Sequence, residues 1–99
     1  MHVSCPIQTV FNFLSKRWML LILRSVHEGR ETFGDVKRSL GTISSKILSE
    51  RLSELELEGY ITRMVTDGRP VKIRYSITEK GTKLGDCIIS MEAFIKETI

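Results

Sequence analysis

Apolar residues recur along the chain with two different periods, and the change between them divides the sequence. In PIQTVFNFL, Ile7, Val10, Phe11 and Leu14 fall at helical spacing. Pro6 suits the first position of that helix, since its φ is already helical and its missing N–H would be unpaired there; Cys5 takes the N-cap position. Ser15 interrupts the run. KRWMLLILRSVHEG follows, with Trp18, Leu21, Ile22 and Val26 in phase and Leu20 and Leu23 widening the stripe, the pattern of a domain's central helix. Gly29 is its stop signal. Thr32 opens a short helix, TFGDVKRSL, where Thr32 and Asp35 resemble a capping box with Asp in place of Glu. Leu40 to Ile43 form a short turn containing Gly41. Ser44 then caps a helix that runs to about Glu58 and stops at Gly59, with Ile43, Leu48, Leu52 and Leu55 as its buried stripe.

After Gly59 the period becomes two. YITRMVT and VKIRYSIT flank Asp67, Gly68, Arg69 and Pro70, the pattern of a hairpin. Alternation turns Val71, Ile73, Tyr75 and Ile77 one way and Lys72, Arg74 and Ser76 the other, giving a basic outer face. Thr78 caps a last helix in which Leu84, Ile88, Met91, Ile95 and Thr98 are spaced four, three, four and three, with Cys87 and Phe94 widening the stripe; the spacing fits a seam packed on another helix. The predicted fold class is mainly α with a two-stranded β-hairpin. Two helices joined by a short turn and followed directly by a hairpin make a winged helix-turn-helix. One domain spans 1–99, with the helix-turn-helix at 32–59, the wing at 60–77 and the C-terminal helix at 79–97.

Length agrees with this, since 99 residues are enough for one domain and leave a core small enough to gain from a partner subunit. The net charge of +3 matters less than its distribution. Residues 1–43 carry six Lys/Arg against three Asp/Glu, residues 44–59 two against four, residues 60–74 four against one, and residues 75–99 three against four. Basic segments therefore bracket an acidic helix. The longest apolar run, Trp18 to Leu23, falls far short of the roughly 20 residues that cross a bilayer. Cys5 and Cys87 lie far apart and lack metal-ligand spacing, which argues against a structural zinc; two cysteines without a signal peptide suggest the cytoplasm.

The helix after Ser44 raises a chemical question. Its outward face carries Ser45, Lys46, Ser49 and Ser53, although serine is a mediocre helix former. A recognition helix presents its first turns to base edges in the major groove of double-stranded DNA. Small hydroxyls let the backbone come close and bond bases or phosphates, and Lys46 reaches phosphate or guanine. Of the four glutamates, Glu50 alone falls near those first turns. A solvated amphipathic helix would show a similar pattern without DNA. In the hairpin, Arg69, Lys72 and Arg74, with Arg63 on the partner strand, place cations near one surface suited to phosphates or the minor groove. Charge also protects an edge strand from aggregation. Lys37 and Arg38 add phosphate contacts from the preceding helix.

Cys5, at a helix N-terminus, is a candidate reactive thiol, because the helix dipole favours a thiolate; packing is the other reading. Cys87 reads as a small buried hydrophobe. Catalysis finds no support: His2 and His27 lack an obvious partner, and no phosphate loop or nucleophile motif calls for a cofactor.

Cys5-Pro6, KRWMLLIL, FGDVKRSL, ISSKILSERLSELELEGYI and YSITEKG, in this order, resemble the HxlR family of prokaryotic transcriptional regulators. The resemblance implies a homodimeric winged helix-turn-helix paired through its N- and C-terminal helices, here Pro6–Leu14 and Glu79–Glu97. Val10, Phe11, Leu14, Leu84, Ile88, Met91 and Ile95 are then the expected interface. It also implies that Cys5 matches the family's sensing cysteine, which in some members answers small electrophiles or oxidants, sometimes by a disulfide to the other subunit; Cys87 is a candidate partner. Arg17 stands where the family usually has Lys. Two rival readings are a ligand-sensing regulator with an inert Cys5 and a winged helix used as a protein-interaction module.

Overall fold

Three hydroxyl caps set where helices begin. The side chains of Thr32, Ser44 and Thr78 accept hydrogen bonds from the backbone N–H groups of Asp35, Ile47 and Gly81. The computed structural model describes residues 6–99. Its elements are α1 (Pro6–Leu14), α2 (Met19–His27), α3 (Phe33–Leu40), α4 (Ser45–Leu57), β1 (Ile61–Val65), β2 (Ile73–Ile77) and α5 (Glu79–Thr98). Cys5 lies outside the described residues, as does His2. Gly29, Gly41 and Gly59 end α2, α3 and α4, each with positive φ, the conformation in which glycine costs least.

Trp18 departs from expectation. It lies outside the helix, at φ 76°, as the cap of α2. The chain must reverse between α1 and α2, and a left-handed residue makes the bend. Met19 takes the fully buried position, and the half-buried Trp18 packs on the core from the side. The wing is also shorter than its alternation suggested, since Val71 and Lys72 belong to the tip and β2 starts at Ile73.

Helix α2 is the hub, in contact with α1, α3, α4, α5 and β2. Met19, Ile22, Leu23 and Val26 meet Val36 of α3, Leu48, Leu52 and Leu55 of α4, Ile61 of β1, Tyr75 of β2 and Ile88 of α5. Burying the three leucines of α4 contributes on the order of 2 kcal/mol each, which fixes the roll of that helix. One polar pair enters this core: the hydroxyls of Ser25 and Ser39 lie 2.8 Å apart, and Ser39 also donates to the carbonyl of Val36 at 2.7 Å. The Ser25 hydroxyl is therefore buried with its bonding satisfied.

The two strands pair antiparallel with Ile61 opposite Ile77, Arg63 opposite Tyr75 and Val65 opposite Ile73. The Glu31 carbonyl accepts a 2.7 Å bond from the Tyr75 N–H, pinning the loop before α3 to the hairpin. Helix α5 approaches the end of α4 closely. Thr78 donates through its hydroxyl to the carbonyls of Gly59 (2.7 Å) and Tyr60 (3.0 Å), and its N–H reaches Tyr60 as well. A Cβ on Gly81 would lie 2.0 Å from the Tyr60 carbonyl oxygen. Gly81→Ala is therefore expected to destabilise the fold by about 1–3 kcal/mol despite alanine's better helix propensity, lowering the melting temperature by several degrees. Gly68→Ala, where a Cβ meets nothing within 4 Å, should leave it nearly unchanged.

Candidate nucleic-acid interface

With Leu48, Leu52 and Leu55 turned inward, α4 leaves Ser45, Lys46, Ser49 and Ser53 exposed on its outer side. Two other charges of the helix, Arg51 and Glu54, are engaged elsewhere. Arg51 donates from Nη1 to Glu54 at 2.6 Å and from Nε to the carbonyl of Arg17 at 3.0 Å. Lys16, in the turn after α1, pairs with the same Glu54. Hydrogen bonding from Lys16 is the largest influence on the Glu54 carboxyl and, with a weaker contribution from Arg51, holds it below the usual carboxylate range against the opposing effect of desolvation. This cluster braces α4 to the α1–α2 turn on the side away from the wing.

The wing corrects the expected grouping of cations. Facing residues of an antiparallel pair share one side of the sheet. Arg63, opposite Tyr75, therefore lies on the inner side, while Arg74, opposite Met64, lies on the other. Arg63 lines a cleft of about 350 Å³ between α4 and the hairpin, together with Phe33, Ser49, Ser53, Glu56, Ile73 and Tyr75. Arg74 is tied to Glu31 at 3.0 Å. The structure thus brings Arg63 to the serines and takes Arg74 away from them. Counting the register back from Tyr75 would have found this, but the alternation alone leaves open where the tip begins. Arg69 and Lys72 sit exposed at the tip, without an ion pair among the described residues. On α3, Lys37 is half-buried and Arg38 pairs with Asp35. The Asp35 carboxyl is held down by hydrogen bonding to Thr32 first and to Arg38 next.

The expected dimer residues divide. Ile88 is 5% exposed and belongs to the core against α2, which corrects its place on an outer seam. Leu14 and Leu84 are half-buried, whereas Val10, Phe11, Met91 and Ile95 are exposed. Ile7 and Phe94 extend the exposed apolar faces of α1 and α5. Cys87 is exposed, not a buried hydrophobe. It lines a groove of about 670 Å³ with Val10, Leu14, Tyr60, Lys80, Lys83 and Leu84. His27 does find a partner: its Nε2 lies 3.2 Å from Asp86 Oδ1, and its ring packs where a Cβ on Gly85 would sit. Among the described residues no group of acidic, His and Cys side chains could hold a metal, and no helix is long and apolar enough to cross a membrane.

Comparison with known proteins agrees with this architecture. A family model described as HxlR-like helix-turn-helix matches residues 13–99. The HTH-type transcriptional regulator YvaP of Bacillus subtilis is 38% identical over 96 residues, covering 96% of this chain and 89% of the relative. The diamide-treated form of YodB, from the same organism, superposes with a TM-score of 0.77 at 37% identity, covering 97% of this chain and 96% of that one. The redox regulator HypR in its oxidized form gives a TM-score of 0.83 at 26% identity, covering 94% and 96%.

The Glu54 cluster has a pH signature. A carboxyl whose folded pKa is lowered contributes stability above its unfolded value, about 4.5, and loses it as pH falls through the lower folded value. With solvent screening the contribution is on the order of 0.5–1 kcal/mol. In urea melts the stability gap between the wild type and Glu54→Gln should be full at pH 6–7 and close towards pH 3.

Proposed function

Because the chain belongs to the HxlR-like helix-turn-helix family, we propose that it is a sequence-specific DNA-binding transcriptional regulator working as a homodimer on a pseudo-palindromic operator. Residues 1–99 form one winged helix-turn-helix domain in this reading, and the protein is cytoplasmic and not an enzyme. The observation that carries it is the exposed, small-residue face of α4 with Arg63 across the cleft. Ser45, Lys46, Ser49 and Ser53 enter the major groove, and Arg63, Arg69, Lys72 and Lys37 hold phosphates around them. Arg38 joins them by exchanging Asp35 for a phosphate. Arg74, committed to Glu31, contributes least.

The exposed apolar faces of α1 and α5 support pairing of two copies. Phe11 is 65% and Phe94 64% exposed in the single chain, more large apolar surface than a small monomer usually leaves wet. A two-fold dimer sets two copies of α4 against half-sites about 34 Å apart, or a multiple of that.

Control by thiol modification at Cys5, by a small electrophile or oxidant, is the form of regulation we favour. It is supported by the helix N-terminal position of Cys5 in the sequence and by the diamide-treated and oxidized forms of two similar regulators. The groove beside Cys87 favours a second reading, a ligand-sensing regulator in which Cys5 is inert.

Two measurements test these readings. In fluorescence anisotropy on DNA from upstream of the protein's own gene, Lys46→Ala with Ser49→Ala and, separately, Arg63→Ala should each weaken binding about tenfold or more, and Arg74→Ala by less than about threefold. Affinity should fall steeply with salt. If the double substitution leaves affinity unchanged, a protein-interaction module is the better reading. In the second measurement, diamide should release operator DNA from the wild type but not from Cys5→Ser; equal release from both would remove Cys5 control.

A further inference from the structure

The outer face of α4 contains an acidic residue that a DNA-binding surface should disfavour. At about 100° per residue, Lys46, Glu50 and Ser53 fall within about 60° of one another and opposite the Leu48, Leu52 and Leu55 stripe. All three are exposed. Ser49 and Ser53 also line the cleft that holds Arg63, whereas Glu50 stands outside it, on the open side with Arg51 and Glu54. Its neighbour Glu54 is held by Lys16 and Arg51, and Glu31 by Arg74. Glu50 has no ion pair among the described residues, and Lys46, one turn before it, has none either. An unneutralised carboxylate thus occupies the outward strip of α4, opposite its buried leucines.

Phosphate oxygens repel such a group. A carboxylate is an acceptor only, so its partner on DNA has to be a donor. The major-groove edge offers two, the cytosine N4 amino group and the adenine N6 amino group. In its base pair the adenine amino group has acceptors on both sides, its own N7 and thymine O4, which oppose a carboxylate, whereas the cytosine amino group has guanine O6 on one side and only its own C5–H on the other. We propose that Glu50 is a specificity-determining residue that accepts a hydrogen bond from cytosine N4, while Lys46 takes O6 and N7 of a neighbouring guanine. This rests on the DNA-binding reading above and refines it: Ser49, Ser53 and Arg63 hold the backbone at the cleft, and Lys46 and Glu50 read the bases. Glu50 acts twice, favouring a site with cytosine in register and opposing every other register by repulsion.

Selection from a random duplex library at fixed salt tests this with the full chain, comparing wild type, Glu50→Gln and Glu50→Ala. The wild type should enrich one cytosine per half-site. Glu50→Gln should move that position to adenine, because an amide both donates to N7 and accepts from N6. Glu50→Ala should make the position degenerate and bind the wild-type site about tenfold more weakly, with severalfold tighter binding to unrelated DNA. Base preference is a ratio within one sample, so it does not depend on the fraction folded. The same preference in all three proteins would overturn the Glu50 assignment and leave the DNA-binding reading standing. Failure of the wild type to enrich any sequence would overturn both.

Discussion

The close approach of α5 to the backbone at Gly59 and Tyr60 is the constraint on which the rest of the arrangement depends. Gly81 has no side chain where one would strike the Tyr60 carbonyl, and Thr78 bonds both carbonyls at the end of α4. The long C-terminal helix is therefore fixed to the point where α4 gives way to the wing. Lys80 adds to the joint, donating to the Glu58 carbonyl at 2.6 Å while its ammonium lies 4.4 Å from the Tyr60 ring centroid. Through this point the orientation of α5 and that of α4 are one quantity. Packing at native density leaves little room for either to turn alone.

The division of charge on α4 follows from the same economy. The side of the helix nearest the α1–α2 turn uses its ions for bracing: Arg51 and Glu54 bond each other, the Arg17 carbonyl and Lys16. The wing side offers hydroxyls, Glu56 and Arg63 around a shallow cleft, with Phe33 and Tyr75 at its wall. Between the two, Lys46 and Glu50 are left unpaired. Exposed ion pairs add little to stability, so the bracing pairs matter mainly as fixed charges that do not compete for the outer face.

Much of this was legible in the sequence, for reasons that differ between elements. Thr32, Ser44 and Thr78 announced their helices because a cap needs only local chemistry, one side-chain oxygen and an N–H three residues on. The stripe of α4 was readable because all three of its leucines turn into the one core. The stripe of α5 was not, because two surfaces share it: Ile88 goes into the core, Leu84 is half-covered, and Met91 and Ile95 stay outside. Helical periodicity gives a direction but does not say what lies there. Trp18 is ambiguous in the sequence for a related reason, since a large apolar residue in phase with a helix can equally well sit just before it. Alternation along each strand alone does not separate Arg63 from Arg74, because that takes the pairing, and the pairing depends on where the tip begins. Residues whose role is set by distant contacts, such as His27 on Asp86 and Lys16 on Glu54, carry no local signature.

Those distant contacts make the N-terminal helix more than an appendage. Phe13 of α1 stacks on Tyr60 with ring centroids 5.9 Å apart and planes 13° from parallel. Lys16, just beyond the helix, reaches Glu54 in the body of α4. Tyr60 is also the residue on which α5 closes. α1 therefore touches both the joint between α4 and α5 and α4 itself. The face it presents to solvent is apolar, through Ile7 and Phe11, so whatever covers that face bears on α1 as a unit. A displacement of α1 must break the ring stack, stretch the Lys16–Glu54 pair or move α4. Each contact is worth about 1 kcal/mol or less when partly exposed, far below the burial that seats α4 through three leucines. Small forces on α1 are thus relieved at the stack and the ion pair before they disturb the packing of α4.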